Sequence, residues 1–163
     1  MTALRLYTDG SCYPPGTVGA WAWILVSEHR VASCSGKTPG PSNHQRCELH
    51  AAIEGLTHLV AAGIREVDLR SDSRHVVGGM SSSGCKGCTG WAHPARERGW
   101  RGARGKPLKN PDLWLPLLEL ANSVTVTWCH VPGHRPKTDM SDDARYNREV
   151  DALAVDARRA GAL

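Results

Sequence analysis

Leu4-Arg5-Leu6-Tyr7-Thr8-Asp9-Gly10-Ser11 decides how the rest of this 163-residue chain is read. Apolar and polar residues alternate along it, as on a half-buried strand. Asp9 stands in its middle, followed by Gly-Ser. A carboxylate on a central strand is costly to bury alone, and a bound cation is a partner that offsets the cost. Two more acidic residues stand where a fold could bring them to the same place. Glu48 opens an apolar helix, and Asp72 ends a second strand. Asp151, near the start of a C-terminal helix, is a fourth. The four carboxylates read as one metal site.

Working outward, Cys12 to Thr17 is a turn with Pro14, Pro15 and Gly16. Residues 19–26 read as a buried strand and 30–36 as a third, joined by a short turn, which predicts an antiparallel meander. A polar loop over 38–46 leads to a helix over 47–63, with Leu49, Ala52, Ile53, Leu56, Leu59 and Val60 on one face. Glu48 in its first turn also suits the helix dipole, and taken alone that use explains it better than a site does. Residues 66–71 form a strand that, after so long a crossover, is expected to pair parallel with the first and set Asp72 beside Asp9. A plain N-cap for the short helix beginning at Ser73 is the other reading of Asp72. A flexible Ser/Gly loop (81–90), a helix (111–120) and a strand (124–130) follow. The turn 131–136 leaves His134 exposed, 135–146 is polar and mobile, and a last amphipathic helix covers 148–159. There is no internal repeat and no sign of a second domain; 1–163 is expected to be one domain.

Composition narrows the class. Hydrophobic content of 40% is ordinary for a globular chain, and no apolar run approaches the roughly 18–20 residues of a membrane span. No signal-peptide pattern precedes the first strand, so a cytoplasmic location is expected. The six cysteines are scattered, and free thiols are expected in a reducing compartment; Cys85 and Cys88 form a lone CxxC, weak evidence for zinc. The net charge of +4 is uneven: residues 96–109 carry six basic side chains against Glu97 alone. Trp91 and Trp100 interleave with them, which suits either a phosphate backbone or a solvated surface segment.

The order Tyr7-Thr8-Asp9-Gly10-Ser11, Glu48-Leu49-x-Ala51-Ala52, Ser71-Asp72-Ser73, Pro132-Gly133-His134 and Asn147-x-x-Val150-Asp151-x-Leu153-Ala154 resembles type 1 ribonuclease H over essentially the whole chain. The stretch from Gly99-Trp100 through Lys106-Pro107-Leu108-Lys109-Asn110 to Leu113-Trp114 resembles the basic handle of the bacterial enzymes. The resemblance implies an α/β, ribonuclease H-like fold: a five-stranded mixed sheet flanked by helices on both faces. It also implies an endoribonuclease that cuts the RNA strand of an RNA–DNA hybrid, leaving 3′-hydroxyl and 5′-phosphate ends. Asp9, Glu48, Asp72 and Asp151 would hold two Mg²⁺ ions, with Mn²⁺ as a substitute, and His134 would assist as a proton carrier. Residues implied to touch substrate are Cys12, Asn43, His44, Gln45, Arg46, Arg74, Trp91, Arg98, Trp100, Arg101, Arg104, Lys106, Lys109 and Asn110. The partner implied is the hybrid, with no membrane and a monomeric protein.

The chain departs from the family's pattern at places that read the substrate. The loop before the glutamate is Asn43-His44-Gln45-Arg46, Arg74 stands where a glutamine usually follows Asp-Ser, and Tyr13-Pro14-Pro15-Gly16 replaces an Asn-Pro-Gly turn. These changes bear on how strictly the hybrid is told from RNA duplex more than on the chemistry. Another nuclease of the same fold, such as a junction resolvase or transposase core, would share the carboxylates without the His134 loop or the handle. A non-catalytic hybrid-binding module would lack a metal carboxylate, and none is missing. A separate hybrid-binding domain ahead of the first strand is not expected.

Overall fold

A computed structural model describes residues 3–161. Of the span 1–163 expected to form one domain, residues 1, 2, 162 and 163 lie outside the described residues. Five strands form one mixed sheet in the order β3-β2-β1-β4-β5. β1 (Arg5–Ser11), β2 (Val18–Val26) and β3 (Arg30–Pro41) are the antiparallel meander. β4 (Glu66–Ser71) and β5 (Thr125–His130) add to it in parallel. β1 is therefore central, and Thr8 pairs with Ser71, which brings Asp9 and Asp72 to the same end of neighbouring strands.

The two-residue alternation of β1 decides which helix covers which face. Leu6 points with Trp23, Leu25, Val67, Leu69 and Trp128 toward α1 (His44–Ala61), α2 (Arg74–Met80) and α4 (Pro111–Ala121), where Leu49, Leu56, Leu59, Val76, Trp114 and Leu117 complete the larger core. Tyr7 points the other way, with Ala22, Ile24 and Val26, and α5 (Asp142–Arg159) covers that face with Tyr146, Val150 and Ala154. Helices on both faces thus match the expected fold. A short helix, α3 (Ala92–Glu97), leads into the basic segment and buries Ala92 and Ala95.

Several boundaries move. β3 runs on to Pro41, and α1 begins at His44 rather than Cys47, because the Asn43 side chain caps it by accepting the Arg46 N–H at 3.1 Å. Glu48 is therefore not in the first turn, which holds no acidic residue, so the helix dipole does not account for it. Nor is Asp72 an N-cap; Ser73 caps α2 by accepting from Val76 N–H. α5 starts at Asp142, so 142–146, expected to be mobile, is helical. Ser141 caps it, Asp142 and Asp143 suit its dipole, and Ala144 and Tyr146 are buried. Cys85 and Cys88, expected to be free thiols, are joined as a disulfide. The turn closed by Cys88 N–H to Cys85 O sets their Cα atoms 5.3 Å apart, within bridging range. Cys12, Cys34, Cys47 and Cys129 are free.

Candidate active site

One glycine brings the first two carboxylates together. At Gly10, directly after Asp9, a Cβ would lie 2.4 Å from the Cys47 carbonyl carbon and 2.5 Å from the Glu48 nitrogen. Its absence lets the second turn of α1 rest on the backbone of β1, with Glu48 over Asp9. Asp72 follows β4 directly and is held from several sides. Asn147 Nδ2 donates to its Oδ2 at 3.3 Å, and the His130 ring contacts its main-chain oxygen at 3.2 Å. Gly133 passes so close that a Cβ there would stand 2.6 Å from Asp72 Oδ2. His130 thus helps to hold Asp72 in place.

One carboxylate oxygen each from Asp9, Glu48 and Asp72 lies within 4.8 Å of the others. Asp151 is not in this trio. It stands exposed on α5 but lines the same cleft, of about 330 Å³, together with His134, His44 and Cys12. A larger cavity, of about 420 Å³, is lined by Met80, His93 and Trp128 among others and contains no carboxylate, so it lacks the chemistry of the first.

The trio is electrostatically uncomfortable by itself. Asp9 is only 5% exposed, and burial, with Asp72 and Asp151 nearby, pushes its carboxyl up to about 7 despite the opposing bonds from Glu48 and Gly10. Burial first, and then the charge of Asp9, holds Glu48 well above the usual carboxylate range. Glu48 Oε2 is buried with no hydrogen-bond partner. Convergent hard oxygens, one of them orphaned, fit a divalent cation that takes oxygen ligands.

The residues expected to touch substrate divide. His44 and Gln45 are exposed at the start of α1, and Arg74 at the start of α2. Arg98, Arg101, Arg104, Lys106 and Lys109 are exposed along the handle, where Arg98 Nε and Arg101 Nη1 brace main-chain carbonyls. Trp91 and Trp100 are half-buried and pack against the core, Trp91 edge-on to Trp114 at 4.7 Å between centroids. Asn43 is occupied as the cap of α1. Arg46 forks onto Asp112 at 3.0 and 2.6 Å and reaches Asn110 Oδ1 at 3.0 Å, which ties α1 to the end of the handle. Asn110 adopts φ +61° and keeps a buried, unpartnered Nδ2. Cys12 is buried, with its sulfur 3.4 Å from Ser42 O. His134 is exposed on its loop at φ +52°.

Some residues of the site are not among the site residues expected from the sequence, although Asn147 and Ser11 fall within its motifs. Asn147 positions Asp72; it stands four residues before Asp151, one turn away on the same face of α5. Ser11, Tyr13 and Arg158 also line the cleft. Arg158 lies seven residues after Asp151, two turns along that face, a spacing that could have pointed to it.

A family model for RNase H matches residues 1–159. A ribonuclease H of Erythrobacter litoralis is 36% identical over 157 residues, covering 96% of each chain. Among solved structures, the N-terminal RNase H domain of a Mycobacterium tuberculosis protein superposes with a TM-score of 0.67 at 20% identity, covering 99% of this chain and 97% of that one. LC11-RNase H1 from compost, in complex with an RNA/DNA hybrid, gives 0.66 at 16% identity, covering 98% and 99%.

Proposed function

Because the chain belongs to the RNase H family, we propose that it is an endoribonuclease that hydrolyses the RNA strand of RNA–DNA hybrids. The observation that carries this reading is the convergence of Asp9, Glu48 and Asp72 within 4.8 Å, with Asp151 on the same cleft. Those four side chains would hold two Mg²⁺ ions, with Mn²⁺ able to replace them. When bound, such ions activate a water and neutralise charge on the phosphoryl oxygens as the phosphodiester is displaced in line. The products are 3′-hydroxyl and 5′-phosphate ends.

The remaining roles belong to the chain's own residues. Asp9, the least exposed of the trio, would be shared by both ions, as the resemblance implies. Asn147, His130 and Gly133 keep Asp72 oriented. His134, exposed on its loop, takes up and releases a proton at the edge of the cleft, as an imidazole can near neutrality. The handle holds the duplex by its phosphates. Residues 1–163 would act as a single catalytic domain, as a monomer in the cytoplasm. Among the described residues no helix is long and apolar enough to cross a membrane.

The test is one labelled sequence offered as RNA–DNA hybrid, RNA duplex and single strand, with and without Mg²⁺. Cleavage confined mainly to the RNA of the hybrid, and only with metal, is the expected result. Equal cleavage of single strands, or cleavage in chelator, would remove this reading.

Two substitutions probe the supporting parts. His134→Ala slows single-turnover cleavage by about 10²–10⁴-fold without abolishing it, the usual worth of positioned acid–base help. Unchanged rates across pH would leave His134 an ordinary loop residue. Replacing Arg98, Arg101 and Arg104 with Ala raises KM and flattens the salt dependence of binding, by about 0.9 in log–log slope for each phosphate that is no longer neutralised. An unaltered slope would make those arginines a solvated face only.

A further inference from the structure

Among the described residues that line the catalytic cleft, Arg158 is the one lysine or arginine. A basic residue in the last turn of a helix ordinarily complements the helix dipole, and Arg159 beside it, which is exposed, suits that use. Arg158 is instead half-buried and turned inward. Its Nε donates to Ser11 Oγ at 2.9 Å and its Nη1 to Tyr13 O at 3.2 Å, so the guanidinium is fixed against the end of β1, two residues beyond Asp9. Those two bonds leave donors of the five-donor fork uncommitted, on a residue that lines the cleft. Planar donors held in place by neighbours are suited to the oxygens of a phosphate.

Charge balance favours the same occupant. Four carboxylates are matched in formal charge by two divalent cations, so a polyanionic strand entering the cleft brings phosphate charge that the metal centre does not balance. Arg158 supplies the opposing charge. We propose that Arg158 is a substrate-positioning residue that holds a phosphate of the RNA strand flanking the one that is cut. Ser11 and the Tyr13 carbonyl keep its guanidinium aimed. The inference rests on the proposed hydrolysis of a hybrid at this cleft.

Binding is measured in the Asp9→Asn background, where the duplex stays intact. The dissociation constant for a hybrid is followed across a series of salt concentrations in Mg²⁺, for that parent and with Arg158→Gln or Arg158→Lys added. Arg158→Gln is expected to weaken binding several-fold and to make the log–log salt slope shallower by about 0.9, the equivalent of one neutralised phosphate. Arg158→Lys keeps the charge but loses the fork to Ser11 and Tyr13, and is expected to keep the parent's slope. A slope unchanged by Arg158→Gln overturns the proposal. So does a slope that Arg158→Lys reduces as much, because Arg158 would then be only a clamp for the loop. Arg158→Met gives the same reading should the Gln variant not fold. Failure of the wild-type protein to cut any hybrid would refute the proposed function, while the slopes would still report whether Arg158 meets a phosphate.

Discussion

Asp9→Asn abolishes hydrolysis of the hybrid and leaves the fold intact, and in metal-free solution at pH 8 it raises the melting temperature. The two effects have one origin. Asp9 is buried beside Glu48 with Asp72 close by, so its charge is tolerable only when a cation shares it. Without metal the folded protein holds a proton on this carboxyl up to about pH 7, against an ordinary value of 3.8. A carboxyl whose folded-state value is raised favours folding below its unfolded value. That contribution is lost as pH rises through the folded one. At 1.36 kcal/mol per unit, the loss between about pH 4 and pH 7 is of order 4 kcal/mol for Asp9 alone. Glu48 shifts in the same direction and adds to it. Asparagine cannot ionise, and without the charge of Asp9 the carboxyl of Glu48 also falls back toward its usual range. The metal-free wild-type protein should therefore melt at a lower temperature at pH 8 than at pH 5, and the variant should show a smaller drop. Mg²⁺ at pH 8 should stabilise the wild-type protein more than the variant. Melting curves at the two pH values, with and without Mg²⁺, read all of this beside a cleavage assay. Near-normal turnover by the variant would remove Asp9 from the centre of the site.

Much of this arrangement is legible along the chain because it rests on short periods and on turn chemistry. The alternation of Leu6 and Tyr7 sets the two faces of β1, and the length of α1 requires a parallel crossover to β4, which puts Asp72 beside Asp9. The differences are mostly a matter of caps. Asn43 and Ser141 each accept from the N–H three residues on, and each begins a helix earlier than the apolar spacing alone suggests. Those caps change the meaning of other residues: Glu48 loses its helix-dipole explanation, and Asn43 is committed to the backbone. The Cys85–Cys88 bridge depends on a tight local turn, which composition does not reveal. Arg46 stands among the expected substrate residues, but its fork onto Asp112 joins positions 66 apart in sequence. A pairing of that separation leaves no local pattern. Arg158 follows the period of α5 from Asp151, and it becomes visible only once that helix is known to face the cleft.

Gly10→Ala is expected to cost both stability and activity, and more than its size suggests. The added methyl group would lie 2.4 Å from the Cys47 carbonyl carbon, 2.5 Å from the Glu48 nitrogen and 2.6 Å from Cys47 Cβ. Carbon atoms in good contact are about 3.5–4 Å apart, so strand and helix must separate by roughly 1 Å. Two of the three obstructing atoms are helix backbone, which no rotamer change can move aside. α1 is also anchored along its length, because Leu49, Ala52, Leu56 and Leu59 are buried in the larger core between the sheet and α4. Overpacking of this kind costs about 1–3 kcal/mol, and a backbone clash should fall at or above the upper end. The displacement occurs where Glu48 meets Asp9, so turnover should fall by about 10²-fold even in the fraction that stays folded, as for a 1 Å error in the placement of a reacting group. Gly40→Ala is the matched control, since a Cβ there meets nothing within 4 Å. Single-turnover rates and melting temperatures of both variants decide the matter. If Gly10→Ala matches Gly40→Ala in rate while melting lower, the glycine serves packing alone, and the distance from Glu48 to Asp9 is not set by the contact of α1 with β1.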